Sequence, residues 1–129
     1  MSEFSPLAAQ FLMEWNRMSM NMRSAIFRAK YLQEKAERSG AQTRLEEMRR
    51  ERNIDALYRE IRRDMRTVLS GDGVEKSFPA DRPMDEQGLP GRFVDFRISE
   101  AAIPEILVKI EELDEKILTL FISLCSIRL

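Results

Sequence analysis

The sequence predicts an all-α fold: an elongated antiparallel helical bundle, coiled-coil-like, with a long Gly/Pro-containing loop before the C-terminal helix. Three observations carry that expectation. Ile103, Ile106, Ile110, Leu113, Ile117, Leu120, Leu124 and Ile127 fall in alternating steps of three and four, the a/d spacing of a helix that packs lengthwise on another. Ala8, Phe11, Trp15, Met18, Met22, Ala25, Ala29, Leu32 and Ala36 repeat that spacing near the N-terminus. A composition of 43% hydrophobic and 33% charged residues suits long amphipathic helices with solvated outer faces better than a compact sheet. The 129 residues form one domain with enough apolar content for a core. Its helices are expected near 5–38, 42–69 and 100–127, with a loop at 70–98.

The first helix opens at Ser5-Pro6, an N-cap followed by proline at a position where its missing N–H costs nothing. Its stripe is bulky at the start and alanine-rich from Ala25 to Ala36, so a partner could approach more closely there. Met13, Met18, Met20 and Met22 crowd its first half. Such flexible, polarizable side chains either fill a core or line a binding groove.

Ser39-Gly40 interrupts the pattern, and Thr43 with Glu46 has the form of a capping box for a second helix. A tight helix–helix turn is expected, although a helix continuing through Gly40 would lose only about 1 kcal/mol. The second helix carries Leu45, Met48, Ile54, Leu57, Ile61, Met65 and Val68. Its stripe slips between Met48 and Ile54, where the chain either leaves the core or meets a polar partner. Leu69-Ser70-Gly71 ends it.

Residues 70–98 lose the apolar periodicity and gain Gly71, Gly73, Pro79, Pro83, Gly88, Pro90 and Gly91, a long loop of the kind that is often functional or disordered. Its end, Arg92 to Ile98, is strand-like and would need a partner strand in another copy, another protein or the loop itself. Alternatively Phe93, Val94 and Phe96 pin the loop to the helices. Ser99 and Pro104 open the last helix, and proline disfavours a helical conformation at Ile103. Beyond Ile117, Leu118, Phe121, Ile122 and Cys125 join the apolar set. A helix apolar over most of its circumference must be covered on several sides, which implies a three-helix bundle or self-association.

The formal net charge is −1, leaving no overall field to attract nucleic acid or an anionic membrane. The distribution is uneven. Residues 1–70 hold 14 Lys/Arg against 10 Asp/Glu, net +4, and residues 71–129 hold 7 against 12, net −5. A basic half docking on an acidic half, within one chain or between two copies, would use that asymmetry. The longest apolar run, Ile117 to Ile127, is too short to span a bilayer. With no basic n-region at the N-terminus and a single cysteine, the cytoplasm is the expected compartment.

Little in the chain points to catalysis. Histidine is absent, which removes the commonest general base, the triads built on it and the usual zinc and di-iron ligand sets. Cys125 is expected as a small core residue. Gly71-Asp72-Gly73-Val74-Glu75-Lys76-Ser77 ends like a phosphate loop, but Glu75 stands where glycine should precede the lysine, and a turn is expected. Leu113-Asp114-Glu115-Lys116-Ile117-Leu118 resembles the opening helix of the small all-helical chorismate mutases. That resemblance implies arginines on the flanks of the pattern to hold a dicarboxylate; the corresponding positions here are Leu107 and Leu124. It covers about a fifth of the chain, at its end, and reduces to shared coiled-coil spacing. No metal, cofactor or catalytic residue is assigned.

The expected function is a non-enzymatic protein–protein interaction module: a small cytoplasmic adaptor, assembly factor or chaperone-like component, homo-oligomeric or bound to another protein. The expected partner-binding residues are the apolar stripe Ile103, Ile106, Ile110, Leu113, Ile117, Leu120 and Leu124, with Phe11, Trp15, Met18 and Met22. A charged face, Arg59, Arg62, Arg63 and Arg66, lies at i, i+3, i+4, i+7 on the second helix. Glu111, Glu112, Asp114 and Glu115 are its expected counterpart. The alternative is a nucleic-acid-associated regulator using that arginine face, with interleaved Asp55, Glu60 and Asp64 arguing against it.

Overall fold

A computed structural model of the chain describes residues 6–68, 74–76 and 96–129. Four helices carry it: α1 (Pro6–Ser39), α2 (Gln42–Glu51), α3 (Ile54–Thr67) and α4 (Ile103–Cys125). The all-α architecture is as expected, with one small addition. Val74–Lys76 (β1) and Phe96–Ile98 (β2) pair antiparallel, Val74 opposite Ile98 and Lys76 opposite Phe96. The strand-like end of the loop therefore finds its partner within the loop, in a segment whose sequence suggested a turn. Phe93 and Val94 lie outside the described residues, as do Ser5 and Leu69-Ser70-Gly71.

The turn after α1 is a Schellman-type C-cap. Gly40 takes φ +72, and the Ala41 N–H reaches back to the Ala36 carbonyl at 2.9 Å, with both alanines on the core side. The Ala41 carbonyl then accepts the first bond of α2, from Leu45 N–H at 2.9 Å. Thr43 consequently sits inside α2, and the expected capping box does not form: the N-cap is Ala41, without a side-chain bond.

The single helix expected at 42–69 is two. Glu51 ends α2 and Asn53 adopts the left-handed conformation, φ 53 and ψ 36. Asparagine tolerates that region better than most residues. The slip between Met48 and Ile54 marks this break. After it the apolar face restarts in a new phase, with Ile54, Ile61, Met65 and Val68 buried. A 3-10 turn, Glu100–Ala102, leads into α4, and Ile103 is helical at φ −61 and ψ −46 despite preceding Pro104.

Arg17 of α1 reaches Asp114 of α4, and farther along Ala25 to Leu32 lie beside Leu120 and Leu124. These two helices therefore run parallel. Helix α3 runs antiparallel to α4: Lys116 meets Glu60 and Asp64, whereas Arg52, before α3, bonds Ser126 at 2.9 Å. Helix α4 is the hub. It packs along α1 and against α3, while α1 and α3 barely approach each other at backbone level. The core is one cluster containing the α4 stripe, the α1 stripe and the apolar face of α3. Phe11 and Trp15 pack within it in a tilted arrangement, ring centroids 6.0 Å apart and planes at 35°.

Candidate functional site

Because α1 and α3 both lean on α4, the interval between them must be closed by side chains. Trp15, Met18, Met22, Ile61 and Met65 are all fully buried, so bulky residues close its lower part. Higher up, α1 presents Ala25, Ala29 and Gln33 instead, and the opposite wall is formed around the α2–α3 break by Arg49, Ile54, Asp55 and Tyr58. The result is an open cleft of about 280 Å³. Leu45, Ile54, Leu120 and Leu124 floor it, and Ala25 and Ala29 form one side.

Ala29 is the telling residue. It holds a strict a/d position in the series Met22, Ala25, Ala29, Leu32, Ala36, whose other members are buried, yet Ala29 itself is exposed. Core phase with a solvated methyl means that the opposing layer is missing. An apolar-lined opening of this size forfeits the dispersion contacts that a close-packed interior makes.

Charged groups ring the mouth. Arg49 binds Asp55 through both Nε, at 3.2 Å, and NH2. That pair separates the cleft from a polar hollow lined also by Arg50, Arg59 and Glu46. Lys30 stands on the opposite rim, exposed and without an ion pair among the described residues. Tyr58 lines the cleft, and the Arg62 guanidinium lies over its ring, 5.7 Å from the centroid. The formal charge of Lys30, Arg49 and Asp55 together is +1.

The eleven apolar residues expected to bind a partner are placed in the chain's own core. Ile103, Ile106, Ile110, Leu113, Ile117, Leu120 and Leu124, with Phe11, Trp15, Met18 and Met22, all expose 4% or less. They hold the bundle together and, of these, only Leu120 and Leu124 reach the cleft. The methionine cluster divides between both roles considered: Met18 and Met22 fill the core, whereas Met13 and Met20 are 65% and 56% exposed.

The arginine face does not meet its expected acidic counterpart. Arg59 and Arg66 are exposed, Arg63 lies 3.6 Å from neighbouring Asp64, and Arg62 is half-buried on Tyr58. The helix faces explain the mismatch: Glu60 and Asp64 occupy the flank of α3 that meets α4, so the pairing there has the opposite sense. Lys116 Nζ lies 3.1 Å from Glu60 and 2.6 Å from Asp64, and those bonds hold its ammonium above its ordinary pKa. Asp114 pairs instead with Arg17 of α1 at 3.5 Å. Burial raises the Asp114 carboxyl pKa, with Arg17 acting in the opposite sense. Glu111, Glu112 and Glu115 make no ion pair among the described residues and stay exposed.

Cys125 is exposed rather than a core thiol, because it lies one position past Leu124 and off the buried stripe. Leu107 and Leu124, at the positions where the chorismate mutase pattern has arginine, pack against or within the core. The sequence singles out none of Lys30, Gln33 and Tyr58, and it places Ala29 only in the apolar stripe and Arg49 only in the slip after Met48. Two signals bore on them, the alanine-rich end of α1 and the stripe slip after Met48, and only their meeting in space makes a cleft.

Among the described residues no helix is long and apolar enough to cross a membrane, and no group of His, Cys, Asp and Glu could hold a metal ion. No protein-family model, no curated protein and no solved structure matches this chain.

Proposed function

We propose that this protein is a non-enzymatic interaction module that receives an apolar helix face of a protein partner in the α1/α3 cleft. Two helices splayed on a third leave vacant the position a fourth helix takes in a four-helix bundle, and bundle completion is an established mode of helix recognition. The observation that carries this proposal is the solvated Ala29 methyl, in core phase above Leu45, Ile54, Leu120 and Leu124. Affinity would come from covering that floor, and partner choice from the charged rim, since rim charges tune encounter and specificity more than strength. The role is that of a small adaptor, assembly factor or chaperone-like component of a larger complex. A cytoplasmic setting belongs to the same proposal, and the single cysteine supports it.

A photo-crosslinking amino acid at Gln33, which lines the cleft, tests it in cells producing the full chain. The same group at Arg63, exposed on the outer side of α3, is the control. Discrete protein adducts specific to Gln33 are expected. Equal adducts at both positions, or none at Gln33, would overturn the proposal.

A further inference from the structure

We infer that the helix received by the cleft is α4 of a second copy, presented by its outer face; this presupposes that the cleft accepts a helix. Helix α4 carries two stripes. The inner one is buried. The outer one is Val108, Glu111, Glu115, Leu118 and Ile122, again in steps of three and four, so these residues share one side of the helix. Val108, Leu118 and Ile122 are 54%, 58% and 58% exposed. Glu111 and Glu115 are exposed and make no ion pair among the described residues. A helix face combining uncovered branched aliphatics with unpaired carboxylates is the chemical complement of an apolar floor whose rim, Lys30 with the Arg49–Asp55 pair, carries a formal charge of +1.

The cleft lining on α1 runs from Ala25 to Gln33, about 12 Å of helix axis, and Glu115 to Ile122 of the outer stripe spans about 11 Å. The uneven charge of the chain, net +4 over residues 1–70 and −5 over 71–129, then favours association of unlike ends of two copies. The inner face of α4 meets α1 and α3, so its outer stripe points away from the cleft of its own chain. Docking is accordingly head-to-tail: each copy offers its cleft to one neighbour and its α4 to another, a heterologous contact that extends unless it closes into a ring.

The test is the molar mass of the purified full chain by light scattering across a dilution series. The wild type should exceed 15.1 kDa, grow with concentration and shrink as salt is raised, because Lys30 meets carboxylates of the second copy. Ala29→Trp blocks the cleft, and Ile122→Glu spoils the stripe. Both alter exposed positions, and circular dichroism checks that each variant stays folded. Either variant alone should be monomeric, and an equimolar mixture should recover one-to-one dimers, since each supplies the half the other lacks. Lys30→Glu, at an exposed rim position, should weaken association without plugging the cleft.

A wild type monomeric at every concentration, a variant that still assembles like wild type, or a mixture that stays monomeric would each overturn the inference. A monomeric wild type whose Gln33 crosslinks to a different protein would remove only this inference and leave the helix-accepting cleft standing. Absence of both self-association and Gln33 adducts would remove both.

Discussion

Ala29→Leu should make this protein more stable and less able to bind. The substitution adds three carbons pointing over Leu45, Ile54, Leu120 and Leu124, into a space of about 280 Å³. At about 0.8 kcal/mol per fully buried carbon, the upper limit of the gain is roughly 2.4 kcal/mol. Fixing the leucine side chain costs about 0.5–1 kcal/mol, and incomplete burial in an open cleft lowers the gain further. A net stabilisation of about 1 kcal/mol is expected, or roughly 3–5 °C in thermal midpoint at this chain length. Ala36→Leu is the internal control. Ala36 lies two helical turns later on the same face, is 0% exposed and does not line the cleft, so the added carbons meet a filled core and should destabilise by about 1–3 kcal/mol. Urea denaturation of both variants, at a protein concentration where the wild type is monomeric, reads the two signs. The same sign for both, or a loss of stability in Ala29→Leu, would refute the cleft. A stabilised Ala29→Leu that binds as well as wild type would retain the cleft and remove its function.

Three further outcomes follow from the packing. Ile117→Asp puts an unpaired carboxylate at a position only 1% exposed in the centre of α4, which should cost more than about 4 kcal/mol; helical circular dichroism at 25 °C should collapse, and a retained helical spectrum would mean that this stripe is not the core. Lys116→Met removes both bonds to Glu60 and Asp64 and should cost about 1 kcal/mol, the ordinary scale for a partly exposed pair. The pKa of Lys116 is raised in the folded state, so its contribution is fully present below its unfolded pKa and lost as pH rises through the folded one. Wild type and Lys116→Met should therefore differ in urea midpoint at pH 7 and converge in strong alkali; a difference that grew with pH would contradict the assignment. Asn53→Ala leaves a Cβ-bearing residue less tolerant of φ 53 and should lose about 1 kcal/mol, whereas Asn53→Gly should be neutral or slightly stabilising; equal losses in both would mean that the asparagine side chain, not the backbone, secures the break.

How much of this was legible beforehand depends on how local the cause is. Helices α1 and α4 were readable because their stripes repeat over many turns, and every turn restates which side is apolar. The break at Asn53 left a trace, the slip between Met48 and Ile54, but a slip alone does not distinguish a helix leaving the core from one that stops and restarts. Gly40 announced a turn through its backbone freedom. The pairing of Val74–Lys76 with Phe96–Ile98 was half visible: the second strand looked like one, and its partner lay across about twenty residues whose composition says nothing about register.

By itself the sequence determined which elements form and which face of each long helix is apolar, because propensity, phase and capping act between residues a few positions apart. Tertiary structure decided where those faces go. Trp15 and Met22 could equally have waited for a partner; they are buried because α4 happens to run beside α1 in the same direction. Arg59 to Arg66 had acidic residues available on α4, but the rotation of α3 about its axis aimed Glu60 and Asp64 there instead. Ala29 looked like any core alanine, and only the interval between α1 and α3, filled by bulky residues lower in the bundle but not at this level, turned its small side chain into the edge of a cleft. Phase is a property of one helix, whereas a cleft is a property of the spacing between two, and that spacing is set by side chains far from it in sequence.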